Sequence, residues 1–201
     1  MSRGRYVALE GIEGAGKSTI QDHLANALRN DGYEVVTVRE PGGTSTGEGI
    51  RRLLLDGDDM APWTEALLFA AQRSQLAVEV IEPALSRGAW VIGDRSVYSS
   101  LAYQGGGRGL GIDAVRKVNQ AGLGPVWPDM VIVLIIEPEA GLARQEGEDR
   151  IGGQGARFQQ QVAGFYQDLA GAEPGRVVLV DAGGRLDDVA EQTVALVRNR
   201  W

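Results

Sequence analysis

The chain of 201 residues contains no cysteine, which excludes disulfides, thiolate nucleophiles and thiolate metal sites. Histidine occurs once, as His23, and lysine twice, as Lys17 and Lys117, in a chain with 20 basic residues. Long apolar runs are missing too: the longest is the seven-residue stretch Met130 to Ile136, where a membrane helix needs ~20. The first residues lead from Met1 straight into a strand pattern without the apolar centre of a signal peptide, so a cytoplasmic protein is expected. Positive charge is in deficit: the net charge is −7, which argues against a nucleic-acid surface. What remains is ordinary globular composition, 43% hydrophobic and 23% charged. That suits one domain over residues 1–201 acting on a small ligand.

Apolar spacing predicts strands at Arg5–Glu10, Glu34–Arg39, Ala89–Asp94, Met130–Ile136 and Val177–Val180. Between them it predicts helices at Lys17–Asn30, Ile50–Leu55, Thr64–Ser86, Val97–Tyr103, Ile112–Ala121, Pro138–Arg144 and Leu186–Val197, and Gln159–Gln161 also read as helical. Gln104 to Gly109 reads as a glycine loop. The expectation is an α/β chain: a five-stranded parallel sheet with helices on both faces. The polar, glycine-rich segment Gln145–Gly155 is the one candidate for a short lid.

Gly11-Ile12-Glu13-Gly14-Ala15-Gly16-Lys17-Ser18 fits the phosphate-binding P-loop pattern and lies between the first strand and the first helix, where that motif belongs. Glycines let successive backbone N–H groups turn inward around phosphate oxygens, and the helix N-terminus adds partial positive charge. The loop through Thr19 would thus cradle ATP, with Lys17 bridging the β- and γ-phosphates and the Ser18 hydroxyl ligating Mg²⁺. A lysine kept where nearly every other cation is arginine fits a compact charge beside phosphates. Asp94 and Arg95 end the third strand, at the sheet edge where open α/β proteins bind ligands. There Asp94 can hold Mg²⁺ and Arg95 a phosphate.

A second binding half separates kinases from other P-loop proteins. Glu40-Pro41-Gly42-Gly43-Thr44 is followed by Arg51, and Phe69 and Arg73 share a helix face at i, i+4. Ser100, Tyr103 and Gln104 follow Asp94-Arg95 by a turn or two of helix. A ring, amide donors and arginines suit a planar base joined to a phosphate.

Taken in order, Gly11 to Thr19, Arg39 to Thr44, Leu68 to Arg73 and Asp94 through Gly109 resemble the thymidylate kinase family in its bacterial form, a P-loop nucleoside monophosphate kinase. The resemblance implies transfer of the ATP γ-phosphate to dTMP, with Mg²⁺, in a homodimer. It implies that Phe69 stacks on thymine, Arg73 bonds O4, and Ser100 and Gln104 face the base edge. Tyr103 would crowd the sugar C2′, Arg51 and Arg95 would hold the dTMP phosphate, and Glu13 would lie near the 3′-hydroxyl and the metal. Two readings stay open beside it: a kinase for another nucleoside monophosphate, and a regulatory nucleotide binder that has lost transfer.

The chain departs from the family pattern in the lid. The lid is about three residues short, and Gly152 stands where the family carries Glu. The P-loop interior holds no arginine, so the charge that neutralises the moving phosphoryl group must come from the lid region. Arg150 is the expected catalytic arginine, Arg144 the second candidate and Arg157 a weaker third.

Overall fold

A computed structural model describes residues 3–144, 150–151 and 154–201. Its strands are β1 (Tyr6–Glu10), β2 (Val35–Arg39), β3 (Trp90–Asp94), β4 (Met130–Ile135) and β5 (Val177–Asp181). They form a sheet in the order β2-β3-β1-β4-β5, parallel throughout. Every residue of β1 and β3 is buried, and all of β4 but its last, as the central strands of a sheet covered on both faces must be. The edge strands β2 and β5 are partly exposed.

The helices are α1 (Lys17–Asn30), α2 (Ser45–Leu55), α3 (Pro62–Leu76), α4 (Glu82–Ser86), α5 (Val97–Ser100), α6 (Ile112–Leu123), α7 (Pro138–Ala143), α8 (Gly155–Ala172) and α9 (Leu186–Arg200). α1 packs on β1, β2, β3 and α9, while α6 and α8 gather around the helical residues 101–107. The register sets Leu9 beside Asp94, and Glu10 beside Val133. The carboxyl ends of β1 and β3 are therefore level, which brings the loop after one against the Asp94-Arg95 pair that ends the other.

Three expectations about elements are corrected. The helix read over Thr64–Ser86 is two helices joined by a π-helical turn, Ala77–Ile81, in which the Glu82 N–H reaches back to Ala77 O. Pro83 supplies the reason: its ring and missing N–H cannot be fitted into a regular α-helix, and one widened turn makes room. The glycine loop read over Gln104–Gly109 is mostly helix as well, because α5 runs on into a π-helical stretch, Leu101–Gly107. Those glycines admit α8: a Cβ on Gly106 would lie 2.2 Å from the Phe165 ring, and one on Gly107 2.8 Å from Phe158. α2 begins at Ser45 rather than Ile50, since the Thr44 hydroxyl accepts the Gly47 N–H at 2.9 Å and caps it. Of the expected lid, residues 145–149 and 152–153 lie outside the described residues, and so does the Gly152 departure.

Candidate active site

The turn from β1 into α1 is Gly11 to Thr19. Gly14 and Gly16 have φ of 71° and 87°, in the left-handed region that glycine alone enters cheaply. A Cβ on Gly14 would lie 1.9 Å from the Gly141 carbonyl oxygen, so α7 braces the tip of the loop. Lys17 is buried, and its Nζ donates to the carbonyls of Ile12 at 2.8 Å and Gly11 at 3.2 Å. Burial, and then the nearby Arg95 charge, lower its pKa to about 8. The ammonium is thus poorly compensated and suited to an incoming anion.

At the end of β3, Asp94 Oδ2 accepts the Ser18 hydroxyl at 2.6 Å. A hydroxyl and a carboxylate converge there at the start of α1, the hard-oxygen donor set that suits a magnesium ion. Arg95 has a φ of 72°, unusual for a residue with a side chain. Its guanidinium donates to Gly11 O and Ser99 Oγ, both at 3.3 Å, pairs with Glu13, and lies 5.3 Å from the Tyr103 ring centre. Chiefly through the Arg95 charge, and against burial, Glu13 is held below the usual carboxylate range.

These groups open on a cleft of about 320 Å³. Arg51, Phe69, Tyr103 and Gln104 line it as well, with Pro41, Leu55 and Ile151. Arg51 Nη1 donates to Pro41 O at 2.7 Å. The Gln104 amide donates to Glu65 Oε1 at 2.9 Å.

Arg73 and Ser100 are not among the side chains that line the cleft; they lie behind it. Arg73 Nε donates to Glu40 at 2.6 Å, Nη1 to Asn119 at 2.6 Å and Ser100 Oγ at 3.1 Å, and Nη2 to Ser96 O at 3.2 Å. Four of its five N–H groups are thereby engaged. Burial pushes the Glu40 carboxyl up, while Arg73 pulls against that shift.

The two candidate arginines stand in different surroundings. Arg144, just past α7, lines the cleft and makes a 3.4 Å contact from Nη1 to Ala182 O. Arg150 does not line it. Its Nε donates to Leu54 O at 2.9 Å, and its Nη1 pairs with Glu65 at 2.9 Å. The buried Glu65 carboxylate on α3 thus claims the guanidinium. Arg157 is exposed.

Three carboxylates to which sequence spacing assigns no role organise the site. Glu10, wholly buried at the end of β1, accepts from Ser96 Oγ (2.7 Å), Ser99 N and Oγ (3.1 and 2.6 Å) and Tyr166 OH (2.7 Å). It ties α5 and α8 to the strand that carries the P-loop. Glu40 anchors Arg73, and Glu65 gathers Gln104, Arg108 and Arg150. Glu65 had a readable signal, since it precedes Phe69 and Arg73 at steps of four on one helix face.

The family profile described as thymidylate kinase matches residues 9–193. A thymidylate kinase of Synechococcus sp. (strain JA-3-3Ab) is 44% identical over 195 residues, covering 97% of this chain and 96% of the relative. The thymidylate kinase of Halothermothrix orenii is 44% identical over 93% of both chains. That of Alkalilimnicola ehrlichii is 43% identical over all of this chain and 97% of its own.

Proposed function

Since the chain belongs to the thymidylate kinase family, we propose that it transfers the γ-phosphoryl group of ATP to dTMP, giving dTDP and ADP. The observation that carries the reading is that one cleft is lined both by the P-loop lysine and by Phe69, Tyr103 and two arginines, Arg51 and Arg95. Donor and acceptor can meet there without water between them.

An oxygen of the dTMP phosphate attacks the γ-phosphorus, and the bond from that phosphorus to the β,γ-bridging oxygen breaks, leaving on ADP. The attacking phosphate is already ionised, so no general base is required, and catalysis is positioning plus charge stabilisation. Gly11 to Thr19 wraps the donor phosphates, with Lys17 reaching the β- and γ-oxygens. Arg51 and Arg95 hold the acceptor phosphate, and Glu13, beside Arg95, faces the 3′-hydroxyl. Arg144 takes the lid-arginine role, because it already stands at the cleft. A bound magnesium ion would be held by Ser18 and Asp94 and would supply charge neutralisation across the β- and γ-phosphates. Phe69 stacks on the base, Tyr103 fills the space a ribose 2′-hydroxyl would need, and the remaining Nη2 proton of Arg73 serves O4.

We place the enzyme in the cytoplasm, as a homodimer. Among the described residues no helix is long and apolar enough to cross a membrane. Exposed leucines on two helices packed together, Leu53 on α2 and Leu67 on α3, offer apolar surface to a second copy. Steady-state turnover with dTMP, dUMP, dCMP and the ribonucleotide of thymine tests the activity. Preference for dTMP is expected; turnover of dCMP in its place overturns the base assignment.

A further inference from the structure

Glu65 lies on α3 with 1% of its surface exposed. Its carboxylate receives the Gln104 amide at 2.9 Å, Arg108 Nε and Nη2 at 3.2 and 3.1 Å, and Arg150 Nη1 at 2.9 Å. Burial alone would push its pKa up, but the hydrogen bonds from Arg108 and Gln104 outweigh that and hold it below the ordinary value. The group therefore stays ionised and offers only acceptor oxygens.

That fixes the orientation of its neighbour. A side-chain amide has a donor end and an acceptor end, and against a carboxylate only the NH₂ end is stable. Gln104 lines the cleft, and its Oε1 makes no hydrogen bond among the described residues. With Nε2 committed to Glu65, the oxygen is the atom left to meet a ligand.

We propose that Glu65 is a positioning residue for base choice: by holding the Gln104 amide nitrogen it turns Gln104 Oε1 towards the base, where it accepts the N3–H of thymine or uracil. Cytosine presents a lone pair at N3, so two acceptors would face each other and the bond would be replaced by a desolvation cost. The inference rests on the proposed reading that the cleft takes a pyrimidine monophosphate.

Dissociation constants of dTMP, dUMP and dCMP for the wild-type chain, Glu65→Gln and Gln104→Leu test it by calorimetry. Glu65→Gln removes the fixed charge, and a neutral amide partner lets Gln104 turn either end outward. The preference for dUMP over dCMP should fall about 10-fold or more, while the dTMP-to-dUMP ratio, which reports the methyl contact, and ATP affinity stay put. A merely structural role would weaken all three nucleotides together. Glu65→Gln with an unchanged dUMP-to-dCMP ratio overturns the proposal, as does Gln104→Leu with an unchanged ratio. Should Glu65→Gln fail to fold, Gln104→Leu decides by the same ratio. Binding is read without turnover, so a wild-type chain that binds these nucleotides and transfers nothing refutes the kinase reading alone.

Discussion

Arg73 and Glu40 meet at 2.6 Å, each with a side chain only 2% exposed. The pair ties α3 to the turn that follows β2, and through Ser100 and Asn119 it also binds α5 and α6. The residue expected to read the base is thus also a structural post behind the cleft.

Arg73→Ala should therefore cost more than dTMP affinity. Removing one partner leaves a buried carboxylate without its counter-charge, a loss of about 3–5 kcal/mol. Urea unfolding measures it. A variant within about 1 kcal/mol of the parent, a size typical of exposed pairs, would mean the pair is not anchoring the fold.

Lys17 carries a pH prediction. Its pKa in the free protein is lowered to about 8, first by burial and then by Arg95, so the ammonium is present below that pH and lost above it. The kcat/KM for ATP, which reports the free enzyme, should be level below about pH 8 and decline as pH rises further. Lys17→Ala should lower kcat by roughly 10²-fold or more and lack that limb. A wild-type profile level to pH 10 would contradict the assignment.

The two lid-region arginines should separate cleanly. Arg144→Ala is expected to lower kcat by at least ~10²-fold, as loss of a phosphate-neutralising arginine does, without shifting the unfolding temperature. Arg150→Ala should instead cost about 1–3 kcal/mol of stability, because Glu65 and Leu54 O lose a partner, with kcat reduced by less. Kinetics and thermal unfolding of both variants check this, and the reverse pattern would restore Arg150 as the phosphate arginine.

Much of this was legible in the sequence. The P-loop, the strand-end Asp94-Arg95 pair and the five strands follow from period, spacing and turn chemistry, which are local properties. The π-helical turns were not, because they answer to Pro83 within the chain and to α8 packing against Gly106 and Gly107 from across it. The buried partners of Arg73 and Arg150 were hidden for a related reason. Each is set by a distant buried carboxylate, Glu40 or Glu65, and no spacing in the sequence reveals which arginine a carboxylate will claim. Arg144 reaches the cleft because α7 ends beside the P-loop tip at Gly14, a contact between segments over a hundred residues apart.

If the cleft transfers phosphate between two bound nucleotides, the fate of the γ-phosphate reveals it. With ATP carrying a radioactive γ-phosphate, saturating dTMP and magnesium, label should appear in dTDP in one-to-one ratio with ADP formed. Label released as inorganic phosphate, or retained in ATP while both nucleotides are bound, would contradict it.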